Sequence, residues 1–402
     1  MPLGAAEAGV RDFQPDFPHL DFALDPIPDL HEVLAQLRSQ HAVAPVHYLG
    51  ENAYLITRFR DVQAALSDEE SFPSAAAYLR HSGPVMGKTI QCMGGDEHRR
   101  NRALVSAAFR PRLMTQFVEA FLTPEAHKLV DAFAGQGEAD LVRDFTTRYA
   151  FTVIARLLDF PPTDFDQLKL WGDGLINFPW DPEGALAASR AFTAYAKEIV
   201  DARRSRPGED LLSSLATVEV EGERLADEEI FSFLRLLFPA GADTTYRGLG
   251  SMLYGVLSER AVFDAVREDP ACIPRVVQEA LRWEAPTALL PRFAPKDVSW
   301  VGVPIPAGSQ VLFGITSGNR DARVFREPER FDPWRKEREF LTFGRGEHFC
   351  LGSHLARREM EVSLRVIAER LPDLELTDRA SVGISGTVLR GPASLPVRFT
   401  PS

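Results

Sequence analysis

Apolar residues recur every three or four positions along most of this chain, the spacing of helices that bury one face. Leu30-His-Glu-Val-Leu-Ala-Gln-Leu-Arg sets the pattern. Alternation replaces it at Val46-His-Tyr-Leu and Ala53-Tyr-Leu-Ile-Thr, and the intervening Gly50-Glu-Asn predicts a hairpin. A short helix is expected over 59–66. Residues 72–90 are punctuated by glycine and proline and read as a long loop, within which Leu79, Val85 and Met86 are candidates for a substrate-facing wall. Helical patterns follow at roughly 114–133, 140–158, 164–176 and 184–204. Where the last two meet, Ile176, Phe178 and Trp180 either roof a pocket or pack between helices. The longest helical pattern, 226–260, contains Pro239-Ala240-Gly241-Ala242-Asp243-Thr244-Thr245, where a missing N–H and a loosened turn predict a bend. Another helix is expected over 351–371, with short strands near 301–312 and 374–400. The class is mainly α with small β-sheets, in a single domain spanning 1–402 whose first 29 residues are irregular.

Composition narrows the setting. The 402 residues are 45% hydrophobic and 25% charged, a globular balance without low-complexity tracts. A formal net charge of −12 disfavours nucleic acid and anionic membrane as partners. No apolar run approaches the ~18 residues that span a bilayer, and residues 1–26 lack a basic stretch followed by an apolar core. Cys92, Cys272 and Cys350 are far apart and odd in number, which suits a reducing compartment better than a disulfide framework or a zinc cluster. A cytoplasmic monomer is expected.

The chemistry concentrates in Phe343-Gly-Arg-Gly-Glu-His-Phe-Cys350-Leu-Gly352, where three glycines allow a tight turn and a cysteine follows just before a helical pattern. Unpaired amides at a helix start favour thiolate over thiol, so Cys350 is placed as a metal ligand. The alternative is a small buried hydrophobe, the usual fate of free cysteine. His98 and Arg102 share one helical face within 98–112, a run with five arginines and no acid. They serve a site or belong to a solvated basic face. Asp243 beside Thr244 either relays protons or sits next to a threonine bonded back to its own helix. Glu279 and Arg282, three apart, can pair on one helix face.

The order Phe343, Gly346, His348, Cys350, Gly352 resembles the haem-binding signature of the cytochrome P450 superfamily, in its soluble bacterial form. That resemblance implies that Cys350 is the axial ligand of haem b, that Phe343 packs near the sulfur, and that His98, Arg102, Arg292 and His348 contact the propionates. The stretch 239–245 resembles the family's oxygen-binding helix, which implies that Ala240 and Gly241 lie over the haem and that Asp243 and Thr244 form its acid–alcohol pair. Glu279 and Arg282 match the family's Glu-x-x-Arg element. The implied fold holds haem b between the long helix and the helix after Cys350. The implied reaction is monooxygenation: one atom of O2 enters a medium-sized apolar molecule by hydroxylation, epoxidation or O-demethylation, and the other leaves as water. Leu236, Leu289 and Leu290 join the candidate pocket. Electrons are expected from a separate iron–sulfur ferredoxin, for which Arg99, Arg100, Arg357 and Arg358 form a candidate patch. A peroxide-driven haem-thiolate enzyme and a non-catalytic haem-binding protein are the alternatives; both have less use for Asp243 and Thr244.

Overall fold

The alternating segments form the expected hairpin, β1 (Val43–Tyr48) against β2 (Glu51–Ile56), joined through Leu49 and Gly50, both at positive φ (53° and 77°). Two positive-φ residues give a turn whose twist matches that of the strands. The hairpin is one side of a four-stranded sheet in which β2 lies parallel to β4 (Gln310–Gly314), and β4 lies antiparallel to β3 (Leu289–Phe293). The computed structural model describes residues 20–109, 115–161, 164–378 and 382–401.

Helices make up most of the rest. In chain order the ones that matter here are α1 (Leu30–Gln40), α2 (Ser74–His81), α3 (Gly83–Met86), α4 (Gly95–Ala108), α5 (Thr147–Leu157), α6 (Phe165–Ile176) and α7 (Pro182–Ser205). They are followed by α8 (Asp227–Ser258), α9 (Ile273–Trp283) and α10 (Ser353–Arg370). The α2–α3 segment corrects the expected loop. Pro73 sits at the N-cap of α2 and Pro84 in the first turn of α3, positions where a missing N–H costs nothing, and Ala75, Ala76 and Ala77 are strong helix formers.

The long helix α8 is continuous through Pro239 and buried on several faces. Ile230, Leu234, Phe238 and Ala242 enter one apolar cluster, and Leu249, Met252, Leu253 and Val256 enter another. Close crossings explain its glycines: a Cβ at Gly241 would stand 2.9 Å from Ile154 Cδ1, and one at Gly250 would stand 2.9 Å from Pro392 Cγ.

Glu279 and Arg282 are fully buried rather than on a surface. The Arg282 guanidinium donates to Glu279 at 2.7 and 2.8 Å, and Arg335 Nε donates to both oxygens of the same carboxylate at 2.9 and 3.0 Å. Arg282 also donates to the carbonyls of Asn319, Pro328 and Arg330. Glu279→Ala leaves two buried guanidiniums without their anion and should cost about 3–5 kcal/mol. Arg60→Ala, at the exposed Arg60–Glu339 pair, should cost less than about 1 kcal/mol. Urea midpoints of the two variants measure the difference, and equal midpoints would contradict it.

Candidate functional site

Cys350 lies at the end of a loop whose path is set by two glycines in the left-handed region, Gly344 (φ 69°) and Gly346 (φ 71°). A side chain on Gly346 would come within 3.0 Å of the Leu66 carbonyl oxygen, so the loop passes close to its neighbour there. Gly344 N donates to Leu341 O, Phe349 N to Gly346 O, and Cys350 N to Phe343 O at 2.9 Å. The loop is fastened to α9 as well: Asn319 holds Leu341 N and the Thr342 hydroxyl, which donates in turn to Leu281 O. Arg357 covers the Phe343 ring at 4.7 Å.

The helix after Cys350 starts slightly later than expected. α10 begins at Ser353, beyond the cysteine. Burial pushes the Cys350 thiol up, and the amides of Gly352 and Ser353, with Arg102 and Arg357, pull only partly against it. A bound cationic metal would add to the pull toward thiolate.

Above Cys350 is a cavity that also reaches Arg102, Leu236, Ala240, Gly241, Leu290, Arg292, Phe343 and His348. α4 brings His98 to His348, with ring centroids 4.3 Å apart. The Nε2 atoms of both rings and Nε of Arg292 are buried without a hydrogen-bond partner. Glu69 Oε2 stands 3.6 Å from His348 Nε2, beyond hydrogen-bond reach. Burial, with His348 beside it, lowers the pKa of His98. Arg292 is buried between the rings of Tyr78 and Phe313, and Arg102 donates to Phe349 O at 2.7 Å. Orphaned donors on one rim, a thiol on one wall and the small residues Ala240 and Gly241 on the other fit a flat metal-bearing group with an anionic edge. Haem b meets that description.

On the helix that forms this far wall, the Thr244 hydroxyl donates to Ala240 O at 2.7 Å, as threonines within helices commonly do. Asp243 is only 3% exposed and accepts from Arg247 Nε at 2.9 Å. Burial raises its pKa, and Arg247 opposes that shift. Asp243 and Arg247 line a second cavity of about 890 Å³, bounded by α6, α7 and residues 386–389. Arg247, one turn after Asp243, was readable as an i,i+4 partner but was not among the residues expected from sequence.

The candidate pocket residues separate. Leu236 and Leu290 line the cavity above Cys350, and Ile176 and Trp180 line the second one. Val85, Met86 and Leu289 are instead core residues, 2%, 5% and 1% exposed, because α2–α3 and β3 turn those side chains inward. Leu79 is exposed, and Phe178 packs against the helical core.

The arginine patch separates too. Arg100 pairs with Glu223 and Glu229 near the start of α8, and Arg99 pairs with Asp96. Their charge is largely neutralised, which corrects the expectation that all four arginines present free cations. Arg358 pairs with Glu361, and Arg357 lies over Phe343 beside the Cys350 loop. Arg110 and Arg112 lie outside the described residues.

A family model described as Cytochrome P450 matches residues 187–371. The chain is 34% identical to 6-deoxyerythronolide B hydroxylase of Saccharopolyspora erythraea, over 97% of this chain and 99% of that one. It is 32% identical to a steroid C26-monooxygenase of Mycobacterium tuberculosis, over 92% and 94%. The crystal structure of the myxobacterial cytochrome P450 CYP267B1 in complex with myristic acid superposes with a TM-score of 0.86 at 30% identity, covering 93% of this chain and 97% of that one. If the bare donors hold the edge of a haem, His98→Leu and Arg292→Leu should each speed haem loss to apomyoglobin roughly 10-fold or more, the effect of removing one charge-assisted hydrogen bond. Unchanged transfer rates would remove these residues from the haem site.

Proposed function

The chain belongs to the cytochrome P450 family and is a haem b monooxygenase, and on that premise we propose that Cys350 is its axial ligand, that Asp243 and Thr244 deliver protons, and that a separate ferredoxin supplies electrons for oxidation of a medium-sized, largely apolar molecule. The observation that carries the reading is that Asp243 and Thr244 lie within one turn of Ala240 and Gly241, which line the cavity that Cys350 also lines. Haem bound through Cys350 supplies the electron-transfer chemistry that activates O2, with thiolate donation assisting O–O cleavage.

The protein's own part is to exclude water and move protons in order. Thr244 presents a hydroxyl whose hydrogen is held by Ala240 O, which leaves its oxygen lone pairs free to receive a hydrogen bond. Asp243, the residue before it, borders the second cavity. Burial raises its pKa, so it takes up and releases a proton nearer neutrality than an exposed carboxylate does. The relatives' names extend to a macrolide precursor and a steroid, and a neighbour was crystallised with a fatty acid, which supports a mid-sized apolar substrate here.

Thr244→Ala should leave haem content and the thiolate-type carbon monoxide band intact while diverting reducing equivalents into hydrogen peroxide. Asp243→Asn should slow oxygen-dependent turnover, by about 100-fold if it acts as a general acid. Oxygen consumed and peroxide released per NAD(P)H, with a surrogate ferredoxin and reductase, measure both effects. Wild-type coupling and speed in both variants would favour a peroxide-driven or non-catalytic haem protein.

For the electron donor, Arg357 lies over Phe343 beside the Cys350 loop, whereas Arg100 and Arg358 are each held by acids. Arg357→Glu should therefore slow reduction by an acidic ferredoxin in a salt-dependent way, and Arg100→Glu should do so much less. Equal effects of the two, or none across a salt series, would count against this docking face.

A further inference from the structure

The 890 Å³ cavity beside α8 is lined by two cations, Lys169 and Arg247, and three acids, Asp173, Asp181 and Asp243. Each acid accepts a hydrogen bond, and Asp243 Oδ1 is buried without a partner. Asp243 accepts from Arg247 Nε at 2.9 Å, Asp173 accepts from Lys169 Nζ at 2.6 Å, and Asp181 Oδ1 accepts from Gly184 N at 3.0 Å as the cap of α7. On Arg247, Nε is the one nitrogen with a hydrogen-bond partner among the described residues. The terminal nitrogens of a guanidinium carry most of its N–H donors, in a fork that suits carboxylate or carbonyl oxygen. The side chain is only 25% exposed and is steadied by Asp243 and by the Tyr246 ring, 5.0 Å away. A preorganised fork with idle donors in a part-buried cavity lacks only an acceptor.

Position adds the second part of the argument. Arg247 lies three residues after Thr244, so the two are neighbours on α8. Across the cavity, α7 contributes Ala187, Ala188 and Ala191, short side chains that leave room for a bulky apolar body, and Val388 and Leu389 extend the apolar surface. A ligand gripped at Arg247 therefore has its oxygen at one end and its hydrocarbon against alanine.

Resting on the monooxygenase reading above, we propose that Arg247 is a specificity-determining residue that binds a carbonyl-type oxygen, of a carboxylate or a ketone, at one end of an otherwise apolar substrate. A substrate without such an oxygen gains no hydrogen bond from those donors and binds less tightly.

The test uses the haem-loaded protein and the absorption shift on ligand binding, with myristate, testosterone and 1-tetradecanol as probes. Wild type should bind myristate or testosterone more tightly than 1-tetradecanol. Arg247→Gln should weaken the preferred probe about 10- to 100-fold, the range for a hydrogen bond to a charged group, and leave 1-tetradecanol unchanged. Loss confined to myristate identifies a carboxylate, and loss confined to testosterone identifies a ketone. Arg247→Lys, which keeps the charge but not the fork, should recover part of the affinity. No preference in wild type, or affinities indifferent to Arg247 in both variants, overturns the proposal. The thiolate-type carbon monoxide band, recorded on the same samples, reports separately on the haem site, so a failure here is distinct from a failure of the monooxygenase reading.

Discussion

The geometry around Cys350 depends on one buried carboxylate. Glu279 is shared by Arg282 and Arg335, and both arginines spend their remaining donors on backbone carbonyls of the irregular segment that leads to the cysteine loop. Two guanidiniums on one carboxylate leave an excess positive charge in a poorly solvated place, and the carbonyl oxygens at their other ends compensate for it. The arrangement lets a chain segment with little regular secondary structure keep a fixed path. Asn319 and Thr342 then pass that fixed path on to the loop itself. Cys350 is thus positioned by hydrogen bonding at a distance from its sulfur, and the sulfur's own surroundings are left to tune its chemistry.

The long helix α8 borders two cavities in succession. Ala240 and Gly241 line the cavity above Cys350, and Asp243 and Arg247, one to two turns farther along, line the other. The two environments differ: the first is rimmed by orphaned donors that suit an anionic edge, and the second holds paired charges. Glycine at 241 allows α8 to press against Ile154 of α5.

Much of this was legible in the sequence, for reasons that can be named. The cysteine loop shows because its shape requires glycine at Gly344 and Gly346, so the spacing survives as a pattern. The helices show through periodicity, and His98 and Arg102 through a shared face. Less legible was whether proline starts a helix or ends one: Pro73 and Pro84 look alike as letters, and only the helices behind them show that both are initiators. Apolar identity likewise does not reveal direction, so Val85 and Leu289 could be taken for pocket walls although they face the core. Arg100 looked free because its partners, Glu223 and Glu229, are far away along the chain, and a basic run without local acids carries no sign of them.

The parallel pairing of β2 with β4 has a consequence for how the protein is made. Residues 53–56 are hydrogen-bonded to residues 310–313, so that edge of the hairpin has no native partner until about 250 more residues have left the ribosome. At ordinary elongation rates the wait is on the order of tens of seconds, long compared with the microseconds in which a hairpin forms. Throughout it the nascent chain displays Ala53, Tyr54, Leu55 and Ile56, an apolar strand of the kind that pairs promiscuously with other chains. Tyr54 and the three residues around it are buried in the finished protein, so they cannot be made polar to prevent this. Yield during expression should therefore be limited by the exposure time of this early strand, and slow growth at low temperature or added chaperone capacity acts on that interval more than on the stability of the folded state.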